Sequence, residues 1–357
     1  MDVKLLQKQD GKKWNEFVKA HSQGRFIHLS LYKDILEKTY KRFKGYFIYA
    51  EENGEVLAIL PFFKFQNIFF RNKFVSQPFS EYGGILFKEN LINEKRLETI
   101  QALKEYLSYF LGEYRNSYLE IRGQLDQPDF VSRHFVKKPL YKVAFLKLDS
   151  YQSIYNKFDY QVKKAVKKAE KEGIEVFKDT SLESIKNKFY PLYARYIKKR
   201  HGTPPYSLEY FLNCYKYAPE NIKIFFAEKD QKIIAALWGF LSDKRIQISY
   251  NPSLKEYFLQ RPNDFLHAKF IEWGCQNNFQ YFDFGSARYP GQINFKKKWG
   301  VEFSEYSHFY FSNNLQNIDV RQSKNLFGKT LAWIWKHFVP NHISNLIGPS
   351  LRERMGR

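Results

Sequence analysis

Two groups of residues in this chain have the types and spacing to take part in chemistry. The first lies in YFDFGSARYPGQINFKKKWG, from Tyr281 to Gly300. Asp283 falls near the end of an apolar run that breaks at Gly285, so a carboxylate is expected where a strand stops. There it suits accepting the proton of an ammonium or orienting an amine. A buried acid at a strand end serves equally well to cap the next loop. Lys296 opens a run of three lysines held between Phe295 and Trp299. A lysine at such a place suits a developing oxyanion or the phosphate charge of a substrate, while Lys297 and Lys298 are expected to face solvent. The second group is Arg200-His201-Gly202, followed by two prolines. Arg200 has the planar fork for a phosphate or carboxylate. His201 titrates near neutrality, although a single histidine is as readily structural. Tyr82 beside Gly83-Gly84, Tyr250, Asn263, Arg288 and Phe295 complete the candidates for substrate contact.

These groups suit proton transfer and the stabilising of developing negative charge, neither of which requires a covalent enzyme intermediate. Neither Cys214 nor Cys275 sits beside a base in the sequence, so a thiol nucleophile is not expected. No His/Asp/Glu cluster has metal-ligand spacing, and no metal is expected.

The elements that must position these residues read as a repeat. FIYAEENGEVLAIL (Phe47 to Leu60) alternates, turns at Asn53-Gly54 and resumes, a strong hairpin pattern. IFFAEKDQKIIAAL (Ile224 to Leu237) matches it, with Ala50-Glu51 on Ala227-Glu228. In each half, helical segments precede the hairpin (from Ser30 and from Leu182) and a helix follows it. Ser30 and Ser181 are the expected N-caps. The later helices, about Asn93 to Tyr114 and Asn263 to Gln276, lead into SYLEIRG and QYFDFGS, which places Glu120 and Asp283 at equivalent positions. Between the halves, a helix capped by Asp149 or Ser150 is expected to run to Gly173, with Val162, Ala165, Val166 and Ala169 as its buried stripe. The order implies an α+β protein of two domains with mainly antiparallel sheets, residues 1–147 and 148–315, and a tail over 316–357. NLFGKTLAWIWKHFVP (Asn325 to Pro340) in that tail is amphipathic, fit either to dock on the second domain or to lie at a membrane interface.

Aromatics make up 19% of the 357 residues and the net charge is +21, so the chain has ample material for cores and favours polyanionic partners. The two cysteines build no disulfide framework, the N-terminus lacks the apolar core of a signal peptide, and no window is apolar enough to span a bilayer. A cytoplasmic protein is expected, peripheral to the inner membrane face if the tail engages lipid.

VKKAVKKAEKEGIEV resembles the helix-to-strand signature of the FemABX family and its FemAB-like (BioF2-like) GNAT relatives. QPFSEYGGIL, YIKKRHGTPPYSLEYF, RPNDFLHAKFIEWG and FDFG…FKKKWG resemble further family motifs in the same order, from about residue 10 to 312. The resemblance implies two tandem GNAT-like domains and transfer of an acyl or aminoacyl group to an amine of a cell-envelope precursor, peptidoglycan or exopolysaccharide related. It also implies that Lys296 lies at the reacting centre. The donor would be a co-substrate, aminoacyl-tRNA or acyl-coenzyme A or acyl carrier protein, with no permanently bound cofactor. Two features differ from the family pattern. There is no room for the long helical hairpin of FemA-type members, and SYNPSLKEYFLQRPNDFLH, where the coenzyme A pyrophosphate loop would lie, has no glycine. A non-catalytic RNA- or membrane-surface-binding protein on a degenerate GNAT scaffold is the alternative.

Overall fold

The computed structural model describes residues 1–66, 72–114, 117–123, 135–314, 316, 318 and 326–355. The first half comprises β1 (Asp2–Leu5), α1 (Gly11–Ala20), α2 (Ser30–Thr39), β2 (Lys44–Glu52), β3 (Glu55–Gln66), β4 (Asn72–Val75), β5 (Leu86–Phe87), α3 (Asn93–Gly112), β6 (Leu119–Gly123) and β7 (Phe135–Lys147). Then follow α4 (Tyr151–Lys157), α5 (Tyr160–Lys171), β8 (Glu175–Lys178), α6 (Leu182–Ser184), α7 (Tyr190–Tyr196), α8 (Leu208–Tyr217), β9 (Ile222–Lys229), β10 (Lys232–Ser242), β11 (Arg245–Tyr250), α9 (Pro262–Gln276), β12 (Tyr281–Ala287), α10 (Pro290–Lys297), β13 (Glu302–Phe311), α11 (Leu326–Phe338) and α12 (Asn341–Met355). Single π-turns, Ile185–Phe189 and Ile197–His201, extend α6 and α7.

The chain divides into two compact units, one of Met1–Tyr141, Glu305–Gln322 and Glu353–Arg357, the other of Lys142–Ser304 and Ser323–Arg352. In the first, β1, β2, β3 and β4 pair antiparallel in sequence, β4 pairs parallel with β6, and β6 pairs antiparallel with Ser307–Phe311 of β13. In the second, β8, β9, β10 and β11 pair antiparallel, β11 pairs parallel with β12, and β12 pairs antiparallel with residues 142–147 of β7. The two units therefore repeat the same strand order and polarity, and each takes its sixth strand from the far half of the sequence. The hairpin turns are as the pattern requires: Asn53 and Gly54 have φ of 51° and 83°, and Asp230 and Gln231 have 50° and 60°.

Three local expectations are corrected. The expected single helix before Gly173 is two, because the Asp159 side chain accepts from Gln161 N and caps a fresh start at Tyr160; Ser150 caps α4 in the same manner. Ser30 is the first residue of α2 rather than its cap, with Leu29 in the cap position and Asn15 Oδ1 taking the Ser30 amide. The stretch expected as a loop before the lysines is helix α10, with Pro290 in its first turn, where a missing amide costs nothing. Ser181 does cap α6, accepting from Ser184 N.

The C-terminal helices dock by one side only. Gly202, left-handed at φ 62°, packs against the α11 backbone so closely that a Cβ would lie 2.4 Å from the Ala332 carbonyl oxygen. Gly348 of α12 meets Pro204 and Pro205. Lys198 Nζ donates to Asn341 Oδ1 at 2.9 Å, and Arg352 donates to the Tyr206 hydroxyl at 3.1 Å. No helix is long and apolar enough to cross a membrane among the described residues. Gly202→Ala is expected to lift α11 from its seat, since both the space and the left-handed backbone exclude a side chain. Limited trypsin digestion should then cut at Lys336 at least tenfold faster than in the unsubstituted protein; equal rates would show that the contact does not hold the helix.

Candidate active site

The second unit's parallel pair opens as a fork. β11 and β12 stay in register from Arg245↔Tyr281 to Gln247↔Asp283, and β12 then bulges against β7 between Asp283 and Ser286. Within the bulge Gly285 takes φ 73°. A bulge withdraws backbone carbonyls from the ladder, and buried carbonyls need partners. Lys296 supplies them. Its ammonium, reaching back from the last turn of α10, donates to the carbonyls of Phe284 at 2.7 Å, Gly285 at 2.9 Å and Ser286 at 2.7 Å. The side chain is buried, and three donors meet three consecutive acceptors.

Asp283 closes the same turn from the other side. Its Oδ1 accepts from Gly285 N at 2.9 Å, and its Oδ2 lies 3.7 Å from Arg245 Nη1, with Asp283 only 1% exposed. The Arg245 guanidinium stacks over Tyr281 at 4.4 Å. The first unit holds a counterpart: Glu120, opposite Val75 of the parallel strand β4, pairs with Lys73 at 3.2 Å, Arg122 at 2.8 Å and His308 at 3.2 Å. Lys73 precedes Val75 by two residues, as Arg245 precedes Gln247. Burial alone would raise the Glu120 carboxyl, but Arg122, Lys73 and His308 outweigh it and hold the group well below the usual carboxylate range. An acid tied to a cation on the neighbouring parallel strand is thus a feature of both units.

The other candidates fall in three places. Phe295 lies behind the fork against His267, ring centroids 5.6 Å apart, and Trp299 is fully buried beside it. Asn263, in the first turn of α9, donates to Ser253 Oγ at 3.1 Å, and its backbone carbonyl takes His267 Nδ1 at 2.7 Å. Tyr250 ends β11 in an aromatic cluster with Tyr193, Tyr206 and Phe211, its hydroxyl 3.4 Å from that of Tyr210. Arg288 is exposed just past the bulge, its backbone amide held by Gln292 Oε1 at 2.8 Å. Arg200 and His201 lie on the π-turn ahead of Gly202, both exposed. Crowding of its ring and the charges of Arg200 and Arg352 hold His201 below the usual histidine value. Tyr82 belongs to the first unit, where it is buried under the Arg25 guanidinium at 3.8 Å and edge-on to Tyr306.

Sequence reasoning passed over His267, Arg245, Gln247 and Asp264. Strand alternation in RIQISY puts Arg245 and Gln247 on the face of Asp283, a legible sign. The i, i+4 spacing of Asn263 and His267 on α9 is another. The amide oxygens of Gln247, Asn251 and Asn263 are buried without a hydrogen-bond partner, and Asp264 is a buried acid in the first turn of α9. Burial raises the Asp264 carboxyl, partly offset by Arg261. Among the described residues no cluster of side chains is composed to hold a metal ion.

Two substitutions test this arrangement. Lys296→Met strands three buried carbonyls, and the urea midpoint should fall by the equivalent of about 3 kcal/mol, against less than about 0.5 kcal/mol for exposed Lys297→Met. Equal midpoints would show that the lysine is not a structural clamp. Burial pushes His267 down to about 4, below its unfolded value of about 6.5. Above pH 6.5 the ring is neutral in both states. Between 6.5 and 4 the unfolded chain binds the proton and the folded one does not, so stability falls as pH drops, by up to about 3 kcal/mol. His267→Gln should flatten that part of the stability–pH curve; an unchanged slope would remove His267 as its source.

Residues 156–297 match the family model of an acetyltransferase (GNAT) domain. No curated protein sequence matches the chain significantly. Among solved structures, FemX is similar at TM-score 0.68 and 14% identity, over 88% of this chain and 98% of its own. The C-terminal domain of a putative lysylphosphatidylglycerol synthetase from Agrobacterium fabrum is similar at TM-score 0.56 and 11% identity, over 87% and 93%. A tandem GNAT protein from the clavulanic acid biosynthesis pathway is similar at TM-score 0.51 and 9% identity, over 87% and 98%. At these identities the likeness is one of fold, and it agrees with the repeated strand order of the two units. By fold the chain is similar to FemX and is built of two tandem GNAT-like units, with the acetyltransferase-type segment, residues 156–297, in the second.

Proposed function

We propose that the protein transfers an aminoacyl group from an ester donor, aminoacyl-tRNA, to an amine of a cell-envelope precursor. The observation that carries the choice of donor is the chemistry at the mouth of the β11–β12 fork. GNAT enzymes that use coenzyme A hold its pyrophosphate on free amides at a glycine-lined helix start. Here α9 begins with Pro262, which has no amide, and with the buried acid Asp264. The dipole at that helix end is already met by a carboxyl group, and a pyrophosphate would face like charge. The unpartnered amide oxygens of Gln247, Asn251 and Asn263 are acceptors, and they suit the ammonium or amine of an aminoacyl group rather than an anion.

In this reading the carbonyl to be attacked lies along the splayed edge of β11, where strand amides serve its oxyanion. Lys296 fixes the shape of the opposing edge, Asp283 fixes its Gly285 corner, and both position the site without taking a proton. Exposed Arg200 and Arg288 suit the phosphates of a nucleic acid or of a nucleotide- or lipid-linked acceptor. The similar synthetase from Agrobacterium fabrum bears a name that joins a lysyl group to an envelope phospholipid, which accords with such a transfer.

The test supplies labelled aminoacyl-tRNA and labelled acetyl-coenzyme A, separately, with a nucleotide-linked peptidoglycan precursor carrying a free side-chain amine. Label is expected to pass from the tRNA to the precursor, with coenzyme A thiol release at background. Asn263→Leu should raise the KM for aminoacyl-tRNA about tenfold, the effect of one lost buried hydrogen bond. Acylation of the amine from coenzyme A, with the tRNA ester untouched, would overturn the assignment.

A further inference from the structure

The docking of α11 and α12 uses one stripe of each helix. Ala332, Trp335 and Val339 are the half-buried positions along and just beyond α11, and Ser344, Gly348 and Arg352 are the inward ones on α12. These spacings, three or four residues apart, are those of a single helical face. The opposite faces are apolar as well. Leu331, Trp333, Ile334 and Phe338 project from α11, Phe338 at 67% exposure and Trp333 at 55%; Leu346 and Ile347 project from α12, Leu346 at 79%. The Trp333 ring packs on Phe338 and His337, centroids 5.2 and 5.4 Å away, so the outer aromatics form a cluster rather than isolated side chains. Exposed apolar patches of this kind mark a docking surface.

The charges around the patch identify its occupant. No aspartate or glutamate occurs from Leu326 to Arg352, whereas exposed Lys336, His337 and His342 do. The first acid beyond, Glu353, is taken by Arg42, whose backbone amide donates to its Oε1 at 2.9 Å. The chain as a whole carries +21. Tryptophan and phenylalanine flanked by lysine and histidine, on helices too short and too charged to span a bilayer, have the composition of a segment that lies at the headgroup boundary.

We infer that the outward face of α11 and α12 is a docking surface for an anionic lipid bilayer. The apolar residues enter the headgroup boundary and Lys336 meets lipid phosphate. The inward stripe, seated on Gly202, Pro204 and Tyr206, keeps the helices attached to the second unit, so that unit is held at the membrane. This goes beyond the acyl-transfer reading and does not depend on it, because its test needs no donor or acceptor.

Full-length protein is mixed with phosphatidylcholine vesicles, or with vesicles containing one quarter phosphatidylglycerol, and sedimented. The protein is expected to co-sediment with the anionic vesicles only, with weaker binding as salt rises. Trp333→Ser combined with Phe338→Ser leaves the charge unchanged and alters only exposed positions. It should weaken binding at least tenfold while the circular dichroism spectrum stays that of the parent. Lys336→Glu should weaken it about 25-fold, since each basic residue near such a surface contributes roughly fivefold and here one is both lost and reversed. Failure to sediment with anionic vesicles would overturn the inference. So would unchanged binding of the double-serine variant, which would assign the attraction to the body's charge. A dimer in light scattering that the same variant dissolves would assign the face to a second copy of the chain and overturn it too.

Discussion

Three backbone carbonyls in a row, all met by one ammonium, make the fork of the second unit possible. A parallel strand pair can separate only if the groups it frees find other partners, because orphaned buried carbonyls each cost about 1–3 kcal/mol. Lys296 meets Phe284, Gly285 and Ser286 together. It does so from a helix that starts only three residues after β12 ends, so sequence proximity makes the clamp cheap in chain entropy. The left-handed Gly285, the Asp283 cap on its amide and the buried Trp299 are arranged around this point. An ammonium committed in this manner holds the shape of the site.

The likeness of the two units separates what the fold requires from what the chemistry requires. Both place an acid on the strand after the parallel junction and bind it to a cation on the neighbouring strand, Asp283 to Arg245 and Glu120 to Lys73. Removing one member of such a buried pair leaves an uncompensated charge, so each pair locks its strands in register. Features present in one unit are the better guide to function. Among these are the amide oxygens of Gln247, Asn251 and Asn263 that lack partners, and the acid in the first turn of α9.

Much of this is legible in the sequence. The hairpins declared themselves through alternation and through Asn53-Gly54, and the matching pair Glu120 and Asp283 through their place after a helix. The partners of those acids were harder to see, because Arg245 and Lys73 lie on strands joined to them only by sheet pairing. Pro290 and Gly291 looked like loop residues, yet proline is at home in a helix's first turn. Asp159, inside a lysine-rich helical pattern, gave no sign that it would restart the helix. The amphipathic pattern of the tail fits either docking or a membrane interface. Its docked stripe is seen in the structure, and small residues, Ala332, Ser344 and Gly348, mark it in the sequence as the side that approaches another surface.

The origin of each unit's sixth strand has a consequence for how the protein is made. β6 is paired on its outer side by residues 307–311, which a ribosome adds nearly two hundred residues later. Until then the first unit is a five-stranded sheet with an open edge bearing Glu120 and Arg122, charged side chains of the kind that discourage stray strand pairing. The second unit is in the opposite position, since residues 142–147 of its sixth strand emerge before any of its others. Synthesis thus delivers one unit its closing strand last and the other its closing strand first. Neither half of the gene encodes a finished sheet, and a break or fusion at the midpoint would divide both.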